Sequence, residues 1–309
     1  MLKGILLKTL STLAFTAMAL GVRAAASTVP VAEIVFYRSL VALVVLLGWL
    51  GLSATLSGAW RTKRPLSHLG RGLSGVAGMF CNFTALALLP FADATAYFYA
   101  YPIFVTLIAG LILRESVHVS RWLAVLIGFG GVLVMLSEHL GFGAGFDVKM
   151  RFGAGVALIG ALCAALSIVQ TRRLAQLETT GAIVFYFTCS CAFFGGLMLV
   201  ATRLFPALGG AYVAPDGRAW TGLIVAGVAG GAAQILATAS YRYADASLLA
   251  AFDYLAMVWA LLASLALYGE TPSLAVLVGA AAITVAGLLA VSERRFQKAI
   301  KFVIPNKIV

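Results

Sequence analysis

Residues 34–37 read Ile-Val-Phe-Tyr, and residues 183–186 read Ile-Val-Phe-Tyr again. Each copy opens a long apolar run, and the shift of 149 between them also carries Arg23 onto Arg172. Further along, Gly75-Val76-Ala77-Gly78 returns as Gly227-Val228-Ala229-Gly230, and Ala92-Asp93-Ala94 returns as Ala244-Asp245-Ala246, both at a shift of 152. Short matches arise by chance in glycine-rich apolar sequence, but ordered matches at nearly constant shifts point to a duplicated chain.

The runs around these matches are long enough to span a bilayer. About 20 helical residues cover the roughly 30 Å hydrocarbon core while satisfying their own backbone hydrogen bonds. Apolar runs between Pro, Gly and charge punctuation lie near 5–24, 32–52, 69–89, 92–113 and 119–137, then 153–172, 181–203, 218–240, 246–268 and 273–291. With 62% hydrophobic and 11% charged residues over 309 positions, a water-facing exterior is excluded. An odd number of spans per copy makes the second copy enter the membrane from the opposite side, so the repeats are inverted. The sequence therefore predicts an all-α polytopic membrane protein of ten transmembrane helices in two inverted five-helix repeats. Residues 1–137 form the first repeat, 138–151 a connecting loop, 152–291 the second repeat and 292–309 a basic cytoplasmic tail.

The net charge of +11 reads as topology rather than nucleic-acid binding, because no basic, aromatic-interleaved patch exists outside loops and tail. With both termini cytoplasmic, all but six of the 22 Lys and Arg fall on inside segments; the exceptions are Arg23, Arg38, Lys149, Arg151, Arg203 and Arg218. That count assigns Lys8 and Arg71 to the inner boundary. The tail, with Phe296, Ile300 and Phe302 among its cations, is expected along the cytoplasmic lipid surface. Lys3, Lys8 and Ala24-Ala25-Ala26 imitate a signal peptide, but Arg23 sits badly before such a cleavage site and the segment has a counterpart in the second half. Cys81, Cys163, Cys189 and Cys191 lie within apolar spans and read as packing residues.

Spans 3 and 8 each present small residues every four positions ending in an amide, Ser74, Gly78, Asn82 and Ala226, Gly230, Gln234. Such spacing places each trio on one helix face. Two readings follow: close helix packing with an amide hydrogen bond, or Asn82 and Gln234 lining a midplane cavity between repeats. Span 4 opens with Tyr97, Phe98, Tyr99, Tyr101 and Pro102. Tyr97 fits the outer aromatic belt, Tyr99 and Tyr101 sit deeper and need hydroxyl partners, and Pro102 is expected to kink the helix. Asp93 and Asp245 read as N-caps of spans 4 and 9, and Glu115 and Glu270, which close those spans, as structural.

Arg38 and Asp253 are the costliest residues in the apolar spans, since a charge at the bilayer centre costs about 3 kcal/mol on insertion scales. They suggest a zwitterion site, with Arg38 holding a carboxylate, Asp253 an ammonium group, and the tyrosines and Trp259 the side chain. Against this stand snorkelling of Arg38 to the outer interface and burial of a protonated Asp253. There is no HExxH, GxSxG or Walker loop, and His68, His118 and His139 all fall near span ends. Neither enzyme chemistry nor any cofactor or metal is therefore expected. The expected partners are a small-molecule substrate and membrane lipid, without nucleic acid, and the small-residue stripes can be satisfied within a single chain.

The Glu33 to Arg38 stretch, Ala92-Asp93-Ala94, Pro102 with Glu115, and Phe252-Asp253-Tyr254 through Val258-Trp259-Ala260 with Gly269-Glu270 resemble the drug/metabolite transporter superfamily. The likeness is to its bacterial ten-helix EamA-type carriers, over residues 5–291, and within them most to the YddG-type amino-acid exporters. The resemblance implies an inner-membrane exporter of aromatic and other neutral amino acids that works by alternating access. In it, spans 1–4 and 6–9 would enclose a central cavity, and spans 5 and 10 would pack peripherally. Relatives carry S-adenosylmethionine, nucleotide sugars, cationic drugs or other metabolites, which keeps a different cargo open. The glycines Gly75, Gly78, Gly227, Gly230 and Gly231 would permit close, slidable helix contacts.

Overall fold

The computed structural model describes residues 2–53, 58, 60–108, 119–137, 148–205, 212–243, 249, 252–253 and 255–286. These residues are helical with short connections. The helices are α1 (Leu2–Ala25), α2 (Val31–Leu52), α3 (Pro65–Leu88), α4 (Phe91–Phe98), α5 (Tyr101–Leu107) and α6 (Val119–Ser137). They continue as α7 (Val148–Leu174), α8 (Thr180–Leu204), α9 (Gly217–Ser240), α10 (Leu255–Ala263) and α11 (Leu274–Ala286). Together they supply parts of all ten expected spans, with α4 and α5 as two pieces of the fourth. Five of them, α1, α2, α7, α8 and α9, are each long and apolar enough alone to cross a membrane. Asp245, Glu115, His118 and the tail 292–309 lie outside the described residues.

Local chemistry sets the ends. Pro65 opens α3 at a position where the missing N–H costs nothing, and Thr179 and Asp216 cap α8 and α9 by accepting from Ala182 and Ala219 N–H groups. The fourth span breaks between α4 and α5 because Pro102 has no N–H and its ring crowds the carbonyl one turn earlier. The chain bridges the gap with Tyr99 N–H on Thr95 carbonyl and Ala100 N–H on Tyr97 carbonyl. α10 runs into a π turn, Ser264–Tyr268, closed by Gly269 at φ 62°, a left-handed conformation that glycine adopts without a side-chain clash.

Two expectations for the fourth span are corrected. Tyr97 is fully buried rather than part of a lipid-facing belt. Asp93 lies inside the first turn of α4 and is not its cap; Pro90 holds the cap position without a side-chain hydrogen bond.

The two repeats interlock. α1 packs most extensively on α9 and α3 on α7, while α2 crosses α8. In repeat terms these contacts join span 1 to 8, span 6 to 3 and span 2 to 7, a pattern that maps onto itself when the halves are exchanged. Glycine makes the first two seams backbone-to-backbone. A Cβ on Gly21 would lie 2.5 Å from the Gly222 carbonyl oxygen, and one on Gly222 would lie 2.7 Å from the Gly21 carbonyl oxygen. Gly78 and Gly160 stand in the same relation between α3 and α7. At the periphery Gly131 of α6 meets Gly279 of α11, and both helices turn large apolar residues such as Leu126, Phe129, Leu277 and Val285 outward to lipid.

This geometry predicts opposite outcomes at two glycines. Gly222→Val forces α9 off α1, and overpacking of this kind is expected to lower the melting temperature in detergent by about 10 °C or to abolish a monodisperse peak. Gly155→Ala, where nothing lies within 4 Å of the added carbon, is expected to leave melting unchanged or slightly raised. Equal melting of the two variants would refute the seam.

Candidate functional site

Between the interlocked helices lies a cavity of about 210 Å³ walled by α1, α2, α3, α4, α5, α7, α8, α9 and the residues around α10. Arg38, Asn82, Tyr99, Tyr101, Gln234 and Asp253 all line it. Trp259 does not. The cavity face of α10 is set by Asp253 and Ala260, two helical turns apart, and Trp259 is rotated about 100° from Ala260.

Asn82 and Gln234 line the cavity from α3 and α9, and neither amide bonds another span among the described residues. The reading of these amides as interhelical glue is thus not what the geometry displays. The repeat glycines are points of close approach: Gly227 accommodates the Arg38 carbonyl and Val41, Gly231 the backbone of Ala42, and Gly75 the Phe187 ring. The remaining wall is largely aromatic and aliphatic, with Phe15, Phe83, Phe98 and Phe187 prominent.

Two cations missing from the sequence-based site belong to it. Lys8 and Arg71, counted above as inner-boundary charges, are buried and line the cavity. Lys8 Nζ lies 2.6 Å from Asp253 Oδ1, so Asp253 is paired with the first helix of the other repeat. The Lys8 ammonium also sits 5.3 Å from the centre of the Tyr241 ring. The shift of 152 that relates the two halves carries Tyr101 onto Asp253, and the Tyr101 hydroxyl comes within reach of that carboxylate. Arg71 is held by the Thr171 hydroxyl (2.6 Å) and the Ile183 carbonyl (3.2 Å), with its guanidinium 4.2 Å from the centre of the Phe187 ring.

Arg38 differs from these. It is 4% exposed, its Nη1 donates to the Met18 thioether (3.2 Å) and its guanidinium lies 5.7 Å from the Phe83 ring centre. Its Nε has no hydrogen-bond partner, and no carboxylate pairs with it among the described residues. Arg38 therefore neither snorkels nor meets Asp253. Gly230 makes room for it, since a Cβ there would sit 3.0 Å from Arg38 Nη1. Met18 and Lys8 are ten residues apart on α1, which places Arg38 and the Lys8–Asp253 pair roughly 15 Å apart along the helix. The carboxylate and ammonium of one α-amino acid lie within about 3 Å of each other, so a single amino acid cannot touch both charges at once.

A cluster of polar contacts lies beside the cavity. Arg23 at the end of α1 bonds Glu270 (2.6 Å) and donates to the carbonyls of Leu86 and Leu89. Glu270 accepts from the Phe91 N–H (3.0 Å) and the Ser264 hydroxyl (2.9 Å), so a carboxylate of the second repeat supplies the cap that α4 lacks. Leu86 and Phe91 are themselves cavity walls, which makes this cluster a neighbour of the cavity.

A membrane-embedded cavity shared by two inverted repeats, lined by buried charges and aromatic rings, is the architecture of a small-molecule transporter. The EamA-like transporter family matches residues 2–137 and 151–292, and the chain belongs to that family, within the drug/metabolite transporter superfamily. It is 29% identical to a pseudopaline exporter of Pseudomonas aeruginosa over 92% of this chain and 94% of that one. It is 25% identical to an S-adenosylmethionine uptake transporter of Rickettsia prowazekii (85% and 84% covered) and 30% identical to a riboflavin transporter of Brucella anthropi (84% and 87% covered). A solved crystal structure shares the fold with a TM-score of 0.67 at 23% identity, covering 95% of this chain and 98% of the other.

Glu270→Ala removes an ion pair and two hydrogen bonds at a partly exposed site. It is expected to cost roughly 2 kcal/mol, read as earlier melting in detergent. A melting curve superimposed on the parent's would show the cluster to be idle.

Proposed function

We propose that the chain exports small carboxylate-bearing metabolites, with aromatic and other neutral amino acids as the cargo class. In this reading repeats 1–137 and 152–291 alternate access to the central cavity, with both termini in the cytoplasm. The observation that carries it is Arg38: a guanidinium buried in the cavity wall without an anion is costly, and an entering carboxylate offsets that cost with two parallel hydrogen bonds. Asn82 and Gln234 supply further polar contacts, and the phenyl and phenol rings of the wall suit an aromatic side chain. The zwitterion model is thereby narrowed: Arg38 takes the carboxylate without Asp253 holding the same molecule's ammonium group.

The relatives favour a second reading, in which the cargo is a different metabolite, because their names specify pseudopaline, S-adenosylmethionine and riboflavin. The two readings separate in proteoliposomes loaded with phenylalanine. Saturable phenylalanine counterflow is expected, at least tenfold slower in Arg38→Gln and partly retained in Arg38→Lys, which keeps the charge but not the planar fork. Unchanged counterflow in Arg38→Gln sinks the role of Arg38. Absence of phenylalanine counterflow, with S-adenosylmethionine or riboflavin exchanging instead, favours the second reading.

A further inference from the structure

The Lys8–Asp253 pair is hard to explain by stability alone. Replacing a buried ion pair by apolar residues of similar volume is often neutral or stabilising, so burial of both charges does not by itself account for their presence. Their placement does. Both residues face the cavity, one from each repeat, together with Tyr99, Tyr101 and Tyr241. Tyr99 and Tyr101 are in ring contact at 5.6 Å, the Tyr101 hydroxyl approaches the carboxylate, and Tyr241 lies 5.3 Å beneath the Lys8 ammonium. A carboxylate ringed by phenols is the chemistry that recognises an organic ammonium ion, through a charge-assisted hydrogen bond and the negative faces of the rings.

Lys8 shows what fits there. Its ammonium, carried on a four-carbon flexible stem, occupies the position that a free amine would take, and Tyr241 can retain it when it leaves the carboxylate. We propose that Asp253, Tyr99, Tyr101 and Tyr241 form an organic-ammonium site in which Lys8 is a tethered occupant displaced by the cargo's amino group. This rests on the reading of the cavity as the transport site, and extends it to two stations. The ammonium station at Asp253 and the carboxylate station at Arg38 stand roughly 15 Å apart, so an amino acid engages them in succession. Displacement also gives selectivity: cargo without an amine has nothing to offer Asp253 that Lys8 does not already provide.

The test uses full-length protein in nanodiscs with two probes, phenethylamine, which carries only the amine, and 3-phenylpropionate, which carries only the carboxylate. Binding is measured by calorimetry at pH 8. Lys8→Gln removes the competitor, and the ratio of phenethylamine to 3-phenylpropionate affinity is expected to rise at least fivefold over the parent. Lys8→Gln/Asp253→Asn, neutral at both positions, is expected to lose phenethylamine binding. Lys8→Met carries the same expectation as Lys8→Gln should the latter aggregate. The proposal is overturned if removing Lys8 leaves the ratio unchanged or lowers it, or if the double variant binds phenethylamine as well as Lys8→Gln does. If 3-phenylpropionate binds nowhere, the phenethylamine affinity itself is read: a fivefold rise in Lys8→Gln and its loss in the double variant leave the ammonium site standing while the carboxylate reading of Arg38 fails, and the absence of a rise overturns the proposal.

Discussion

Two helix pairs, α1 with α9 and α3 with α7, touch without intervening side chains, and the rest of the structure follows from that contact. In lipid, helices gain little from burying apolar surface against one another, so association depends on van der Waals approach and interhelical hydrogen bonds. Gly21 against Gly222, and Gly78 against Gly160, bring the backbones close enough for that approach to be effective. Since each pair joins a helix of one repeat to a helix of the other, neither repeat can pack correctly alone. The cavity is the space that these crossed pairs leave between them. Gly230, two turns beyond Gly222 on α9, then leaves room for Met18 and the Arg38 guanidinium, so helix contact and site come from one face of one helix.

The same solvent sets the electrostatics. A buried charge far from water has to find a partner, and the described residues answer in graded ways. Arg23 finds Glu270 and two carbonyls; Lys8 finds Asp253; Arg71 finds a hydroxyl, a carbonyl and an aromatic face. Arg38 finds a thioether and a ring, the weakest set of the four. The cavity wall thus holds two cations without a carboxylate among the described residues, Arg38 and Arg71, and Arg38, the less satisfied of the two, is the one on which the proposed carboxylate contact rests.

Much of this was legible in the sequence because the bilayer imposes strong length and polarity rules. The ten runs, the IVFY and GVAG duplications, and the small-residue faces ending in Asn82 and Gln234 all follow from periodicity and count. Arg38 and Asp253 stood out by their cost in apolar sequence. Lys8 and Arg71 did not, because both lie within two turns of a span end, where hydropathy cannot separate a boundary cation from one turned inward. An acid at Asp253 with no local counter-ion was the available signal that some nearby cation was wanted. Trp259 was misplaced for a different reason: the cavity face of α10 depends on its rotation, which neighbouring packing sets. The cap of α4 was illegible too, since Glu270 meets Phe91 across 179 positions of sequence.

The broken fourth span ties these observations to movement. A continuous helix through Tyr99 and Ala100 would carry its two ends as one rod. The break instead separates α4, bound at its start to Glu270, from α5, whose Tyr101 approaches Asp253. The start of the fourth span is therefore bonded to an acid that closes the ninth, its equivalent in the other repeat, and its break lies near a second acid of that span. For access to alternate, α1, α4 and the end of α10 have to separate where Arg23 and Glu270 now join them. That separation uncovers the α4 N–H groups and the Arg23 guanidinium at the membrane surface, where water can replace the lost partners. The more exposed Arg23–Glu270 cluster can open by exchange with solvent, whereas for the buried Lys8–Asp253 pair the proposed displacement supplies an incoming amine in the place of Lys8.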